Sequence, residues 1–474
     1  MGNHAEICPK IMAKVVPTTL QYPLEKPLET VYYFTKGLLT ERTEIHMENK
    51  YLLPKDLVAL TPPMGWNSWD CYAATVNEEQ LLGNAEYMAK HLKDYGWEYI
   101  VCDIQWSDPV AGSTDVTYIN FTHLNLDQYG RQVPPVERFP SAADGVGFRS
   151  ISDRIHAMGL KFGIHIMRGI PRQAVHARLP VKGTNTTADR IADPFSISRW
   201  NGDMYGVLNT PEGQAYYDSI FELYAQWGVD YVKVDDICNT NIFPHNPYSA
   251  AHEVEMIANA IKRSGRPMVL SLSPGPAQID KQWHLTQYAN MWRITDDFWD
   301  DWKLLKEMFW RCEVWSGQGR EGCWPDCDML PLGKLRIGFH DPGWTRFTQE
   351  EQRTVMTLWS IFRSPLMMGG EMRENDQWTL DLITNADVLR LIGHSHHARQ
   401  LYRTENAAAW HSYDEDGSEY LALFNLSDDT AEVFADLPWE PGDVKELWGR
   451  DELLTSAVSA RIPAHGAVLI RRKA

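Results

Sequence analysis

No stretch of this chain approaches the roughly 18 consecutive apolar residues of a membrane-spanning helix, so a membrane protein of that kind is not expected. Positive charge is in deficit. Lys and Arg total 45 against 63 Asp and Glu, a formal charge of −18, and a surface of that sign repels phosphate backbones, so nucleic acid is not an expected partner. Seven cysteines are scattered as Cys8, Cys71, Cys102, Cys238, Cys312, Cys323 and Cys327. With no CxxC spacing, neither a disulfide framework nor a structural zinc site is expected. A Gly-rich phosphate loop, an HExxH helix and a two-His-one-carboxylate set are all missing, so no metal or cofactor is expected. The N-terminus lacks a continuous apolar h-region and a small-residue cleavage site. Glu6 also breaks the myristoylation pattern. A reduced, cytoplasmic protein is therefore expected, with the sequons at Asn120, Asn185 and Asn425 as chance matches.

What is present is a globular composition, 44% hydrophobic and 23% charged, with 19 Trp among 474 residues. That length suits two or three domains, or one large barrel with an appendage. From Thr61 onward β-like runs alternate with helical ones. The β-like runs are 64–69, 99–106, 161–167, 231–237, 268–273, 291–297, 324–330 and 364–370. In the stretch 77–96, Leu81, Leu82, Ala85, Met88, Ala89 and Leu92 recur at helical steps, and Gly96 suits a left-handed cap. The stretch 211–228 repeats the pattern between Pro211 and Gly228. Eight such alternations predict an α/β fold, a (β/α)8 TIM barrel over residues 56–390. Short alternating runs beyond it, such as 419–427 and 467–472, predict a C-terminal antiparallel β-sandwich over 391–474. Residues 1–55 form an N-terminal extension without a clear period. The cluster His394-Ser395-His396-His397 lies at the junction, where a solvated turn is expected rather than a metal site.

In a barrel the chemistry lies at the C-terminal ends of the strands. Those ends carry Trp66 and Asp70, Asp103, His165, Lys233 and Asp235, Ser273, Arg293 and Asp297, then Asp326 and Asp328. Carboxylates lined with Trp, without a phosphate or metal signature, point to glycoside chemistry. Lys233 and Asp235 are two residues apart, so both side chains leave one face of a strand, and the cation favours the ionised carboxylate that a nucleophile needs. Asp297 follows Arg293 by four residues within an acidic run whose like charges would raise a carboxyl pKa, as suits a general acid. An Asp at a strand end equally caps the following helix, so the residues alone leave both readings open.

The segments 61–70 (TPPMGWNSWD), 231–236 (YVKVDD), 291–302 (MWRITDDFWDDW), 324–330 (WPDCDML) and 364–370 (SPLMMGG) together resemble the landmarks of glycoside hydrolase family 27, the α-galactosidase family. The resemblance spans about residues 60–470. It implies the same barrel and sandwich, retention of configuration by double displacement, and no cofactor or metal. It also implies Asp235 as nucleophile, Asp297 as acid/base, Lys233 and Arg293 as sugar-hydroxyl ligands and Trp66 as an aromatic wall on the sugar. Asp326 and Asp328 match positions where a structural hydrogen-bonding role is expected. The family's galactosidases have a second Asp after the one at Asp103; here it is Ile104. Asp103 keeps an acceptor for an axial 4-hydroxyl. A 6-hydroxyl facing Ile104 loses its partner, at about 1–3 kcal/mol.

A sugar shaped like galactose without that CH2OH is β-L-arabinopyranose, and the whole chain is most similar to the family's β-L-arabinopyranosidases. The expected activity is exo-acting release of terminal β-L-arabinopyranosyl residues from small glycosides, with weak α-galactosidase activity. In the alternative the pocket is rearranged and Ile104 is only core. Ser273 pulls elsewhere, since a small residue there resembles the α-N-acetylgalactosaminidases. Arg168 and Arg172, in a segment unlike the family's third strand, are expected on a loop surface; reaching an aglycone or a neighbouring subunit is the alternative. The 19 Trp leave room for an interface between copies, so self-association stays open.

Overall fold

A computed structural model describes residues 52–111, 120–240, 242–243, 245–439 and 444–473. Apart from 52–55, the expected N-terminal extension lies outside them, as does Cys8. Eight strands, labelled β1 to β8, form one parallel sheet: β1 (Met64–Asn67), β2 (Tyr99–Cys102), β3 (Lys161–Met167), β4 (Tyr231–Asp235), β5 (Val269–Leu272), β6 (Met291–Arg293), β7 (Trp324–Asp326) and β8 (Leu366–Met368). Each neighbours the next in sequence, and β8 pairs with β1. The circle closes through a single parallel bridge, Leu330 to Met368, just beyond β7. This is the predicted TIM barrel. All eight expected runs contain a strand, but most strands stop two or more residues before the run does, where the backbone leaves the ladder to form the site.

The helices follow from local chemistry. Glu78–His91 begins with an Asn77/Gln80 capping box and ends on Lys90 and His91, which suit the negative end of the helix dipole. A short turn then closes on Gly96 at φ +95°. Pro211–Gln226 starts from the Thr210 cap and presents Tyr217, Phe221 and Tyr224 to the core. Many tryptophans are structural: Trp97, Trp106, Trp292, Trp359 and Trp410 are fully buried.

Between β3 and β4 the chain makes an excursion, residues 168–210, built on a small antiparallel sheet in which Met204–Val207 pairs with Ile170–Pro171 and Ala192–Asp193. Beyond the barrel, a five-stranded antiparallel sheet (395–403, 407–414, 419–425, 467–472, 444–446) faces a three-stranded one (431–434, 459–462, 454–456). Leu421, Leu423, Val468 and Ile470 pack with Val433, Ala460 and Ile462 between them. This sandwich docks on the barrel through Phe309 against Phe424, ring centroids 4.9 Å apart, and His465 stacked on Trp302 at 3.9 Å. The expected solvated turn at 394–397 is not one. His394 ends the helix Ala386–His394, and Ser395 begins the first sandwich strand. The chain passes directly from helix to strand, with Ser395 Oγ donating to Leu391 O at 2.7 Å across the helix end.

Candidate active site

Strand register assembles the site. His165 on β3 stands beside Lys233 on β4, which stands beside Ser271 on β5, while Met167 is level with Asp235. At the C-terminal end of the barrel a cavity of about 310 Å³ is lined by Trp69, Asp103, Ile104, Trp200, Lys233, Asp235, Pro274, Asp296 and Asp297. Five of the eight residues expected at the site therefore meet in one cavity.

Asp235 is the more enclosed of its two candidate carboxylates. One oxygen receives His165 Nε2 at 3.0 Å; the other receives the backbone N–H of Asp236 at 2.8 Å. Burial pushes this carboxyl up, but the His165 hydrogen bond, the nearby Lys233 charge and the Asp236 N–H outweigh it, leaving its pKa below the usual value. Asp103 is held similarly. Its carboxylate pairs with Lys233 Nζ at 3.0 Å and accepts Asn67 Nδ2 at 2.8 Å and the Ile104 N–H at 2.7 Å. Against the cost of burial, Lys233 and these donors keep it well below the usual range. Lys233 is raised in turn: burial disfavours its charge, and Asp103 and Asp235 more than compensate.

Asp297 is different. Its side chain is 57% exposed, with Arg293 Nη2 at 3.1 Å. Arg293 also meets Asp328 at 2.8 Å. Asp328 accepts the Phe298 N–H at 2.8 Å and donates its own N–H to Asp326 at 2.9 Å. That is the hydrogen-bonding part expected of both aspartates. Asp70 is buried with one oxygen unpartnered among the described residues. Burial, then Asp328, drives its carboxyl well up.

Three expectations need correction. Trp66 is fully buried, and its Nε1 donates to Gly370 O at 2.8 Å. It lies within β1, level with Ile100 and Met368, so it belongs to the barrel wall. The chain then turns into the short helix Trp69–Tyr72, and this turn brings Trp69 to the cavity. Ser273 is buried and Pro274 lines the cavity in its place; the Ser273 hydroxyl has no partner among the described residues. Arg293 is also buried and off the cavity lining, engaged by two carboxylates, with its Nε unpartnered among the described residues.

Arg168 is not on a surface. It is buried against Asp236 at 2.9 Å and Glu253 at 2.8 Å. Arg172 is half-buried, its guanidinium 4.9 Å from the ring centres of both Phe121 and Tyr205. Trp69, Trp200 and Asp296 were not among the expected site residues. Trp69 was legible as the second Trp of the 64–69 segment. Trp200 was not, since only the folded excursion carries it there.

Ile104 lines the cavity yet is only 3% exposed, packed with Ala74, Leu124, Met167 and Met204. Its loop is fixed from below. The buried guanidinium of Arg138 donates to the carbonyls of Gln105 and Asp108 on one side and of Ala74 and Val76 on the other, all within 2.9 Å. Among the described residues no cluster of His, Cys, Asp or Glu suits a metal ion, and no helix is long and apolar enough to cross a membrane.

A barrel with paired carboxylates at its C-terminal mouth, followed by a β-sandwich, defines a class of glycoside hydrolases, and the comparisons agree. Residues 204–392 match the family model for alpha-galactosidase A, and residues 404–471 match that for the alpha-galactosidase C-terminal β-sandwich domain. A β-L-arabinopyranosidase of glycoside hydrolase family 27 from Geobacillus stearothermophilus, solved in complex with arabinose, is 49% identical. The match covers 89% of this chain and 99% of that one, with a TM-score of 0.85. A Bacillus halodurans protein provisionally described as an α-N-acetylgalactosaminidase is 50% identical over 88% of this chain and 98% of its own, with a TM-score of 0.77. An alpha-galactosidase from Cyamopsis tetragonoloba is 26% identical over 91% of this chain and 90% of its own. The chain belongs to glycoside hydrolase family 27, and it is a glycosidase.

Proposed function

We propose that this enzyme releases terminal β-L-arabinopyranosyl residues from small glycosides by a retaining double displacement, with weak α-galactosidase activity. One observation carries the choice of sugar: the wall beside Asp103 is Ile104, an apolar side chain set in an apolar cluster. A galactoside placed with its 4-hydroxyl on Asp103 would bury its 6-hydroxyl without a partner, at about 1–3 kcal/mol. An arabinopyranoside has no such group to satisfy. The similar Geobacillus enzyme acts on the same sugar, which supports the reading.

Asp235, ionised and aimed by His165 and the Asp236 N–H, attacks the anomeric carbon. Asp297 gives its proton to the departing glycosidic oxygen, so the aglycone leaves as a neutral alcohol. Asp297, now a carboxylate, takes a proton from water. The hydroxide equivalent displaces Asp235, and the sugar is released with its configuration retained. Lys233 and Asp103 supply a donor and an acceptor to the ring hydroxyls. Trp69 and Trp200 offer apolar faces to the sugar and its leaving group.

The Bacillus halodurans relative's description favours a second reading, an enzyme for α-N-acetylgalactosaminides. The test compares kcat/KM on the para-nitrophenyl β-L-arabinopyranoside, α-D-galactopyranoside and α-N-acetylgalactosaminide. The arabinopyranoside should lead. A galactoside lead would mean that another residue binds the 6-hydroxyl. An acetamido-sugar lead would move specificity to Ser273.

A further inference from the structure

The turn just after Asp235 has an uncommon backbone. Asp236 sits at φ +55°, a left-handed conformation that residues with a Cβ adopt at a cost. That conformation delivers the Asp236 N–H to Asp235 Oδ1 at 2.8 Å. Three contacts from Arg168 hold it. Arg168 Nε donates to the Asp236 carbonyl at 2.5 Å, Nη2 meets the Asp236 carboxylate at 2.9 Å, and the Arg168 backbone N–H donates to the Asp235 carbonyl at 3.1 Å. Arg168 is held in turn by Glu253 at 2.8 Å, and Glu253 receives the Tyr217 hydroxyl at 2.5 Å and the Val207 N–H at 3.1 Å. Arg168, Asp236 and Glu253 are all at most 2% exposed. A buried ion pair is seldom a gain in stability over apolar packing, so its value here lies in what it fixes.

We propose that Arg168 is a positioning residue: by latching the left-handed turn at Asp236, it holds the Asp235 carboxylate in its attacking orientation. The proposal rests on the reading of Asp235 as the nucleophile. Burial and the Asp235 charge push the Asp236 carboxyl up to about 7 against the opposing Arg168 charge, so the turn is set among several charged groups. Around Asp235 those groups are His165, Lys233 and Asp236, with Asp103, Asp296 and Asp297 on the same cavity.

The experiment uses the full chain and whichever para-nitrophenyl glycoside it turns over fastest. Arg168→Met should lower kcat roughly 100-fold with little change in KM, as expected of a nucleophile about 1 Å out of place. The acid limb of the kcat/KM profile should move to higher pH, because Asp235 loses a firm N–H donor. Arg168→Lys, which keeps the charge without the fork, should fall between. Glycine adopts the left-handed turn without strain, so in an Asp236→Gly background the Arg168→Met loss should shrink to less than about tenfold.

A folded Arg168→Met enzyme with parental kcat and acid limb overturns the proposal, as does an equal loss in both backgrounds. If Arg168→Met does not fold, Arg168→Lys in the two backgrounds decides by the same criterion. An Asp235→Ala control separates the premise. If that variant still turns over, the nucleophile reading has failed. If it is dead and azide restores it while Arg168→Met behaves as the parent, only the latch has failed.

Discussion

The two carboxylates proposed as nucleophile and acid/base are held in opposite ways. Asp235 is 13% exposed and ends a strand flanked by β3 and β5, its oxygens fixed by a ring nitrogen and a backbone N–H. Asp297 is 57% exposed, beyond the end of β6, with Arg293 4 positions back as its charged partner. A nucleophile gains from fixed dipoles and a dry setting, because its attack is a matter of orientation. A group that gives a proton and later takes one from water needs access to water. The difference in burial thus matches the two tasks proposed.

The contrast can be broken from either side. Asp235→Asn should cost the most, at least ~10⁴-fold in turnover, while binding persists. Retained turnover in a clean preparation would end the assignment. Asp297→Ala should cost roughly 10²–10⁴-fold on glycosides with poor leaving groups and far less on a dinitrophenyl glycoside, which departs without a proton. Azide should restore that variant and give a product of retained configuration. An inverted product from it would exchange the two roles.

Ile104→Asp sharpens the contrast at the cavity wall beside Asp103. It should raise kcat/KM on the galactoside about tenfold to a hundredfold and lower it on the arabinopyranoside. A fall on both would remove Ile104 from the specificity argument.

The smallest effect lies beneath Arg293. Asp326 rises from 3.8 to about 7, chiefly through burial and then through Asp328. A carboxyl raised by folding stabilises the fold at low pH, and that contribution is lost as pH climbs through about 7. Asp326→Asn has no proton to lose and so gains no buried charge. Its stability relative to the parent should grow between pH 4 and 8, by on the order of 1–3 kcal/mol in urea unfolding. A constant gap across that range would remove Asp326 from the titrating groups.

The alternation of eight strand runs with helices was readable because each strand needs only a short β-like run and each helix its own caps. Asp235 with Lys233 was readable for the same reason, as a two-residue spacing fixes a shared face. What failed depended on partners far along the chain. Arg168 looks like a loop cation until Asp236 and Glu253, 68 and 85 residues away, close around it. Trp66 and Trp69 look interchangeable until pairing with β2 and β8 determines that the strand stops at Asn67. The histidines at 394–397 read as a turn because nothing local announces a helix passing straight into a strand.

Arg138 has a consequence of another kind. With four carbonyls around one guanidinium, it acts as an internal ion whose ligands are main chain, and those ligands tie the residues just after position 104 to the segment 74–76. The loop's path is therefore held by main-chain contacts as well as by the packing of the Ile104 side chain. A new side chain at 104 would thus meet a backbone that Arg138 already anchors, so its first effect falls on the pocket wall rather than on the course of the chain.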